Sequence, residues 1–291
     1  MVIVSISGGL GNQMFQYAFS YSISQKTHKV TKLDINNFQT SNLRKYELEL
    51  FNISTHLISK AEAETLKFKN ESVLGKILRQ CKITKRPLSD MYYKEPHFNF
   101  DKNVYLLEED VYFKGYWQSE KYFHEYKENL IKQFTLKNEL HLESQQYQKM
   151  IKKKESISLH IRHGDYVTNK HTNNVHGICS LDYYKNSVST IEKKIKNAHF
   201  FIFSDDLNWA KENLNFIKNI TFIELSKNIP DHEEMYLMSQ CKHNIIANSS
   251  FSWWGAWLNP NDKKMVIAPK KWFNDTSINT SDLIPEGWLC L

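Results

Sequence analysis

The chain has 291 residues, of which 41% are hydrophobic, 24% charged and 13% aromatic, with only 9 Gly and 6 Pro. This length predicts two compact domains, and this composition excludes a disordered or low-complexity chain. The formal net charge of +6 favours an anionic partner such as a phosphate ligand, an anionic lipid surface or nucleic acid, without choosing among them.

The cysteines and the first residues indicate the cellular compartment in which the protein is expected. Cys81, Cys179, Cys241 and Cys290 stand far apart without a paired motif, which fits neither a metal site nor a disulfide framework. The apolar start MVIVSI is too short for a spanning helix, and no basic region precedes it. The sequence therefore predicts a cytoplasmic protein.

Two short lysine runs, at 152–154 and 193–196, are interpreted as solvated helix faces. Docking on an anionic lipid surface, as a peripheral protein of the inner membrane, is the alternative. No nucleic-acid partner is expected, because the sequence contains no recognised module and no concentrated basic stripe.

The first half contains a few clear elements. The β-branched run at 2–6 predicts a strand, and Gly8 and Gly9 after it predict a turn. The aromatic-rich stretch 13–24 predicts a helix. A second strand is predicted at 30–35. The segment SKAE fits a capping box for a helix near 59–68.

The middle of the chain predicts a domain junction. From Tyr112 the segment YFKGYWQ is expected to be extended, with a helix from Ser119 to about Phe134 and another over 141–154. The junction is placed in this stretch, which gives domains 1–150 and 151–291.

The second half predicts repeated β-α-β units. The apolar runs are SISLHI, HFFIFS, ITFIEL, HNIIAN and KMVIAP, with helical patterns between them. Continuous apolar strands are typical of parallel sheets covered by helices on both faces, so a doubly wound α/β domain is expected. Ligands bind beyond the carboxyl ends of the strands in such sheets.

The first of these strands ends in the segment HIRHGD. Strand alternation places His160 and Arg162 on the same side, and an arginine there can bind a phosphate bidentately at any working pH. The alternative is an internal ion pair between Arg162 and Asp165, which a turn at Gly164 would permit.

The second strand ends at Ser204, Asp205 and Asp206. Two adjacent acids beside an anionic ligand would need a metal unless they face the base or ribose of a nucleotide, and guanine offers N–H donors to a carboxylate. The simpler alternative is that Asp205 or Asp206 caps the helix that begins near Leu207.

The fourth strand leads into a hydroxyl-rich turn that opens a helix. The turn consists of Asn248, Ser249, Ser250, Phe251 and Ser252. Free amides and partial positive charge at such a helix start suit a phosphate, and an ordinary N-cap is the alternative. The tryptophans that follow are expected in the core.

The N-terminal glycine turn lets backbone approach a ligand closely. Gly9 and Gly11 are followed by the amide side chains of Asn12 and Gln13, although the spacing matches neither common phosphate-loop motif. Together, the four segments predict a ligand at the carboxyl edge of the sheet.

In this order and spacing, the four segments resemble the bacterial α-1,2-fucosyltransferases of glycosyltransferase family 11. The resemblance covers nearly the whole chain, through the strings GGLGNQMFQY, GYWQSE, HIRHGDY, HGICS, FIFSDD, NSSFSWWGAWL and VIAPKKW. Several of these strings are long and distinctive.

The resemblance implies an α/β fold of the GT-B type, with two Rossmann-like domains facing across a cleft. Domain 151–291 would bind the donor and domain 1–150 mainly the acceptor, with the extreme C-terminus a candidate to pack back on the first domain. The implied reaction is inverting transfer of L-fucose from GDP-β-L-fucose, without metal or cofactor. The implied acceptor is a terminal galactose 2-hydroxyl in an oligosaccharide or lipid-linked glycan of O-antigen or other surface-polysaccharide assembly.

The resemblance also implies roles for individual residues. Arg162 maps onto the arginine that holds the β-phosphate, His160 and Asp206 map near guanosine, and Asn12 would face the reaction centre. Ser250, Phe251 and Ser252 map onto the phosphate-binding turn. The donor-binding prediction further includes His163, Ser204, Asp205, Asn248, Ser249, Gly9, Gly11 and Gln13.

One position departs from the family pattern H-x-R-R-x-D, because His163 stands at the second arginine. An unperturbed histidine side chain has a pKa of about 6.5, so this position lacks the permanent charge of an arginine. Asp165 is the first candidate for the general base and Asp34 the second, while a structural role for Asp165 in orienting Arg162 is the alternative.

Acceptor specificity is expected between residues 36 and 118. Tyr92, Tyr93, Tyr116 and Trp117 are candidates to stack on sugar rings, with burial in the core as the alternative for each. Two other functions remain open: another GT-B nucleotide-sugar transferase, and a nucleotide- or glycan-binding module without activity.

Overall fold

The computed structural model describes residues 1–40, 44–69, 71–81, 89–107, 110–164 and 177–291. Within them the chain forms two compact units. The first contains Met1–Lys137 and Asn279–Leu283, and the second contains Asn138–Ile278 and Ile284–Leu291. Every helix among these residues is too short or too polar to cross a lipid bilayer.

The first unit is built on a parallel four-stranded sheet with the order β2-β1-β4-β3. The strands are β1 (Val2–Ser5), β2 (Thr31–Asp34), β3 (Tyr92–Lys94) and β4 (Val111–Lys114). The helices are α1 (Leu10–Thr27), α2 (Asn37–Thr40), α3 (Lys60–Lys67), α4 (Val73–Gln80) and α5 (Lys127–Gln133). Short 3-10 turns occur at Leu48–Leu50, Lys102–Tyr105, Glu120–Tyr122 and His124–Tyr126.

The second unit is built on a parallel six-stranded sheet with the order β10-β9-β8-β5-β6-β7. The strands are β5 (Glu155–Ile161), β6 (Ala198–Ser204), β7 (Ile220–Phe222), β8 (His243–Ile245), β9 (Val266–Ala268) and β10 (Leu289–Cys290). The helices are α6 (Leu142–Lys152), α7 (Leu181–Lys194), α8 (Leu207–Asn213), α9 (His232–Gln240) and α10 (Ser250–Trp257).

Strand β6 explains why the apolar runs of the second half are continuous. Phe200 and Ile202 pack in one hydrophobic cluster, while Phe201 and Phe203 pack in another. Successive side chains of a strand point to opposite faces, so both faces of this sheet are covered. The predicted doubly wound architecture of the second unit is confirmed.

Helix α10 packs closely on helix α9 at Gly255. A Cβ atom at this position would stand 2.9 Å from the Cβ of Met238. Only glycine permits this close approach of α10 to α9.

The strands predicted at 2–6 and 30–35 are also present, as are the helices predicted at 13–24, near 59–68 and over 141–154. The capping box at Ser59 is complete, because the Ser59 hydroxyl accepts from the Glu62 amide and the Glu62 carboxylate accepts from the Ser59 amide. The two-residue strand β10 was not predicted, since two residues carry no periodic signal.

The helix predicted from Ser119 to Phe134 is wrong in its first half, where the chain forms 3-10 turns. Adjacent rings cause this difference: Tyr122 packs edge-on against Phe19 at 5.2 Å, and Phe123 contacts Phe15 at 6.0 Å. Both are buried. Two neighbouring residues bury themselves against different partners more readily in an irregular turn than on one face of a helix.

The predicted domain boundary at residue 150 also differs from the structure, in which the division falls between Lys137 and Asn138. Helix α6 belongs to the second unit, because its Ile151 packs with Phe201 and Leu237 of that unit. The extreme C-terminus likewise belongs to the second unit, since β10 pairs with β9. Only the short segment Asn279–Leu283 joins the first unit.

Candidate functional site

The strand order of the second unit identifies where a ligand should bind. Numbered from its own first strand, β5, the sheet has the order 3-2-1-4-5-6 of dinucleotide-binding folds. The strand order reverses between β5 and β8, and ligands bind at the carboxyl ends of the strands beside such a reversal. Ile161 pairs with Ser204, and Leu159 pairs with Ile245. The three predicted strand-end segments of this unit therefore lie at one edge.

Asp205 holds the loop that follows β5. Its Oδ2 lies 3.1 Å from Nη1 of Arg162, and its Oδ1 accepts from the backbone amides of His163 at 2.8 Å and Gly164 at 3.1 Å. A Cβ at Gly164 would stand 3.3 Å from the Asp205 carboxylate, so glycine allows this close approach. Asp205 thus orients Arg162. The alternative pair with Asp165 falls outside the described residues.

Asp206 caps helix α8, which was one of the two interpretations of this acid pair. Its Oδ1 accepts from the Trp209 amide at 3.0 Å, and its Oδ2 lies 2.9 Å from Nδ1 of His163. These two hydrogen bonds lower the pKa of Asp206 below its ordinary value. The Ser204 hydroxyl accepts from the Asp206 amide at 3.0 Å.

Trp209 is a site residue that the sequence interpretation missed. Its indole stacks on the His163 ring with centroids 4.6 Å apart and planes 21° from parallel. The signal was available in principle, since Trp209 occupies the third position of a helix whose cap was predicted. Sequence alone does not show which way that indole turns.

His160 is buried behind Arg162, with 4% of its surface exposed. Burial, together with the positive charge of Arg162, lowers its pKa to about 3, so the ring is neutral at physiological pH. Its Nδ1 has no hydrogen-bond partner among the described residues, and the Phe251 ring lies 6.0 Å away. Buried polar atoms are normally paired, so this nitrogen suits a ligand hydrogen bond.

The turn after β8 separates into accessible and structural residues. Ser250 and Phe251 are partly exposed at the start of α10, and Ser249 caps this helix by accepting from the Phe251 amide at 3.3 Å. Two other predicted donor contacts, Asn248 and Ser252, are buried and bonded to the backbone. Asn248 is buried and donates to the carbonyls of Gly177 and Trp272, while the buried Ser252 hydroxyl bonds Ala247 and Ser249 carbonyls.

The tryptophans of α10 form part of the core, as expected. Trp253, Trp254 and Trp257 are at most 1% exposed. Trp253 also contacts Trp288 at 5.5 Å between ring centroids.

In the first unit, the glycine turn and the end of β4 lie together. The Gln118 amide donates to Oδ1 of Asn12 at 2.6 Å, and the Gln16 amide donates to the Gly115 carbonyl at 2.9 Å. Asn12 is partly exposed there, beside Gly8, whose φ of 81° requires glycine.

The expectation that Gln13 and Gly11 contact a donor is not supported by their surroundings. Gln13 is fully buried and bonds the backbone of Gly8, Lys45 and Glu47, so it ties the glycine turn to a distant segment. Gly11 is buried inside α1. Gly9 is partly exposed, and a Cβ atom added at this position would lie 4.0 Å from the Arg44 guanidinium. Sequence reasoning missed Arg44.

Of the two candidate general bases, Asp165 and Asp34, the structure describes only Asp34. Asp165 lies outside the described residues, so its role stays a prediction. Asp34 is buried and accepts hydrogen bonds from the Tyr112 hydroxyl at 2.6 Å and from the Asn36 amide at 3.0 Å. These contacts favour a structural role for Asp34.

Of the four aromatic candidates for sugar stacking, Tyr116 is the most accessible, with 44% of its surface exposed. Trp117 is fully buried and stacks on Phe19 at 4.2 Å. Tyr92 stacks on Tyr112, and Tyr93 bonds Asp101. The core interpretation therefore holds for Trp117.

Glu234, on helix α9, is a third residue that the sequence interpretation missed. Burial raises its pKa to about 7, and the negative charges of Asp231 and Asp205 act in the same direction. The described residues contain no group of three or more His, Cys, Asp or Glu side chains arranged to hold a metal ion.

A cavity of about 410 Å³ lies in the first unit, around the C-terminal half of α1. Tyr17, Tyr21 and His56 contribute to its lining. It is at the opposite end of α1 from Asn12 and is thus separate from the glycine turn.

Solved structures of known proteins resemble this chain in fold. A solved NodZ α-1,6-fucosyltransferase, soaked with GDP-fucose, has a TM-score of 0.52 to this chain at 14% identity, covering 89% of this chain and 92% of that one. This likeness confirms the α/β fold of the GT-B type, which is the fold of a large class of glycosyltransferases.

Sequence comparison identifies the family. The model of Glycosyl transferase family 11 matches residues 1–291, and the chain belongs to this family. An Escherichia coli α-1,2-colitosyltransferase is 37% identical over 99% of this chain and 98% of its own length. The Escherichia coli O-antigen biosynthesis glycosyltransferase WbnK is 33% identical, covering 98% and 99%. A Bos taurus galactoside 2-α-L-fucosyltransferase, SEC1, is 22% identical, covering 88% and 63%.

Proposed function

We propose that this chain transfers L-fucose from GDP-β-L-fucose to the 2-hydroxyl of a terminal galactose, with inversion, in the assembly of O-antigen or another surface polysaccharide. The observation that carries the proposal is the cluster of Arg162, His160 and the start of α10 at the reversal of strand order, in a chain of family 11. The cluster combines a fixed cation, a neutral buried imidazole and the N-terminus of a helix.

The proposed reaction develops negative charge on the leaving diphosphate. The acceptor oxygen forms a bond to the anomeric carbon while the bond to the β-phosphate oxygen breaks on the opposite face. Arg162, oriented by Asp205, and the amides and Ser250 hydroxyl at the start of α10 stabilise this charge where it appears. The proposal therefore assigns charge neutralisation to the protein itself, without a metal ion or cofactor.

The proton of the acceptor hydroxyl passes to a general base, for which Asp165 remains the proposed residue. General bases of this kind contribute roughly 10²- to 10⁴-fold to rate. Asn12, held by Gln118, is proposed to contact the reacting groups. His160 is proposed to bond the guanosine.

The identity of the donor sugar rests on the relatives. Both the α-1,2-colitosyltransferase and the galactoside 2-α-L-fucosyltransferase form 1,2 linkages by their names. Solved NodZ was soaked with GDP-fucose, as its name states. These names support a GDP-linked sugar of the L-fucose type and a 1,2 linkage.

Transfer of colitose is the second candidate, favoured by the 37% identity to the colitosyltransferase. Colitose is L-fucose without its 3-hydroxyl group. A site that hydrogen-bonds a substrate hydroxyl rejects the analogue lacking it by about 10⁴-fold or more, whereas a site that lacks such a bond discriminates weakly.

The test is a transfer assay with the purified chain, galactose-terminated oligosaccharides and a panel of GDP-L-fucose, GDP-colitose, GDP-mannose and UDP-galactose. Product linkage is determined by NMR and kcat/KM is measured for each donor. The expected result is a 1,2-linked fucosyl product with the highest kcat/KM for GDP-L-fucose. Preference for GDP-colitose supports the second candidate, and transfer from UDP-galactose alone would overturn both. Donor binding without hydrolysis or transfer would indicate a binding module.

A further inference from the structure

The two ring nitrogens of His163 have different surroundings. Nδ1 lies 2.9 Å from Oδ2 of Asp206, whose lowered pKa keeps it an ionised carboxylate and hence only an acceptor. Nδ1 must therefore carry a proton and donate it. Nε2 has no hydrogen-bond partner among the described residues, and the stack on Trp209 fixes the plane of the ring.

This pairing decides what His163 can offer to a phosphate. A neutral imidazole has one N–H group, and Asp206 already accepts from it. Neutral His163 would then present a lone pair at Nε2, which repels a phosphate oxygen. Only the imidazolium form can donate from Nε2, whereas an arginine at this position would donate at any pH.

The charges around the ring favour that protonated form once an anion arrives. Arg162 and Asp205 form an ion pair and offset each other, which leaves Asp206 with one negative charge beside the imidazole. Glu234 and Asp231 on or beside α9 interact electrostatically with each other, and Glu234 also with Asp205. Asp206, the acid in direct contact with His163, therefore leaves one negative charge beside the ring while the imidazole is neutral.

We propose that His163 takes up one proton from solvent at Nε2 when the diphosphate of a nucleotide sugar binds, and that this imidazolium holds the diphosphate together with Arg162. The inference rests on the proposed function, because it requires the diphosphate to lie at this strand edge. Asp206 is the positioning residue, since it fixes which nitrogen titrates. Donor binding is thereby linked to pH through one residue.

Proton uptake is measured directly by calorimetry of GDP-L-fucose binding to the full chain, without acceptor, at pH 7.5 in buffers of different ionisation enthalpy. Both phosphates of GDP-L-fucose are esterified and do not titrate near this pH, so any proton taken up binds to the protein. The wild-type chain is expected to take up between about 0.5 and 1 proton per donor, and its Kd should rise up to about tenfold per pH unit between pH 7 and 8. His163→Arg and His163→Gln should take up almost none.

Three further variants separate the possible sources of the proton. Glu234→Gln removes a carboxyl group whose pKa burial raises to about 7, and it should leave the uptake intact. His199→Gln is the matched control, because His199 lies at the opposite end of β6 and bonds Thr221. Asp206→Asn keeps a helix cap but removes the carboxylate at Nδ1, so uptake should fall.

The outcomes distinguish this inference from the function on which it rests. If the wild-type chain binds donor without proton uptake, or if Glu234→Gln abolishes the uptake while His163→Arg retains it, the inference is wrong and the proposed function stands. If the chain binds none of GDP-L-fucose, GDP-colitose and GDP, the proposed function fails, and the inference fails with it. Thermal melts of each variant confirm that binding is compared between folded chains.

Discussion

At the scale of single residues, the scarcity of arginine is informative. The chain has four arginines, at 44, 79, 86 and 162, among its 38 lysine and arginine residues. Arg162 lies at the strand edge of the second unit, and Arg44 lies beside the glycine turn of the first. A guanidinium provides a planar set of donors that an ammonium cannot imitate. Two of the four arginines thus lie at segments to which the proposed chemistry is assigned.

Replacement of Arg162 by lysine tests its role in stabilising the leaving group. Arg162→Lys is expected to lower kcat for fucosyl transfer by about 100-fold or more, because a lysine cannot bond both Asp205 and a phosphate in the same geometry. Asp205→Asn, which keeps the shape of the partner, should cost less. Steady-state kinetics with GDP-L-fucose measure both effects, and nearly full turnover by Arg162→Lys would contradict the assignment.

Residue chemistry could be predicted from sequence where the partners are local. The cap at Asp206 and the core position of Trp253 follow from their near neighbours in the chain, and the structure agrees. Gln13 and Asn248 were predicted to contact the donor because one follows the glycine turn and the other belongs to the hydroxyl-rich turn before α10. Their actual partners include Lys45 and Trp272, far away in sequence, which no local pattern indicates.

At the scale of elements, strands β5, β6, β8 and β9 of the second unit were predictable because nearly all of their residues are buried and they stand between helical patterns. The region from 36 to 110 was difficult for the opposite reason. Its helices α2, α3 and α4 have four to eight residues each, too few for a clear helical period. The order of the strands in each sheet also depends on long-range pairing, which periodicity does not encode.

The contact between α9 and α10 gives a prediction at this scale. Gly255→Ala places a Cβ 2.9 Å from the Cβ of Met238, so the helices must move apart. A loss of about 1–3 kcal/mol in the free energy of unfolding is expected from such overpacking. Urea unfolding followed by circular dichroism measures it. Gly9→Ala is the control for stability, because its nearest neighbour is the flexible end of Arg44 at 4.0 Å; equal effects would rule out close packing as the cause.

At the scale of the whole molecule, the C-terminal segment divides between the two units. Within the first unit, Asp282 accepts from the amide of Phe100 at 3.0 Å and pairs with Lys121, and the Asn99 amide reaches Ser281 at 2.8 Å. Residues near the end of the chain thus complete a unit that begins at Met1. Sequence analysis placed such a return at the extreme C-terminus, whereas the structure places it at Asn279–Leu283.

Substitution of Asp282 measures how much the contacts of Asn279–Leu283 contribute to the free energy of unfolding. Burial alone would raise the pKa of Asp282. Hydrogen bonds from Lys121, Phe100 and Asn99 outweigh burial and lower this pKa, so the charged form of Asp282 stabilises the folded chain. Asp282→Ala should cost about 1–3 kcal/mol at pH 7. Because the folded pKa is the lower one, this contribution is complete above the unfolded pKa of about 3.9 and is lost as the pH falls through the folded value.

Urea unfolding of wild type and Asp282→Ala at pH 7 and near pH 3 tests this expectation. The difference between the two chains should shrink at the lower pH. Asp275→Ala is the matched control, since among the described residues the Asp275 carboxylate bonds only Ser277, two positions along the chain. A difference that does not depend on pH would assign the effect to packing rather than to charge.

The divided C-terminus also limits how new specificities can be built by recombination. A chimera that takes its second unit from a relative must exchange Asn138–Ile278 and Ile284–Leu291 together. The five residues between these segments must stay with the parent that supplies Met1–Lys137. A single crossover near residue 137 would leave Lys121 facing a foreign partner at position 282, so two-part grafts should yield folded hybrids more often than simple fusions.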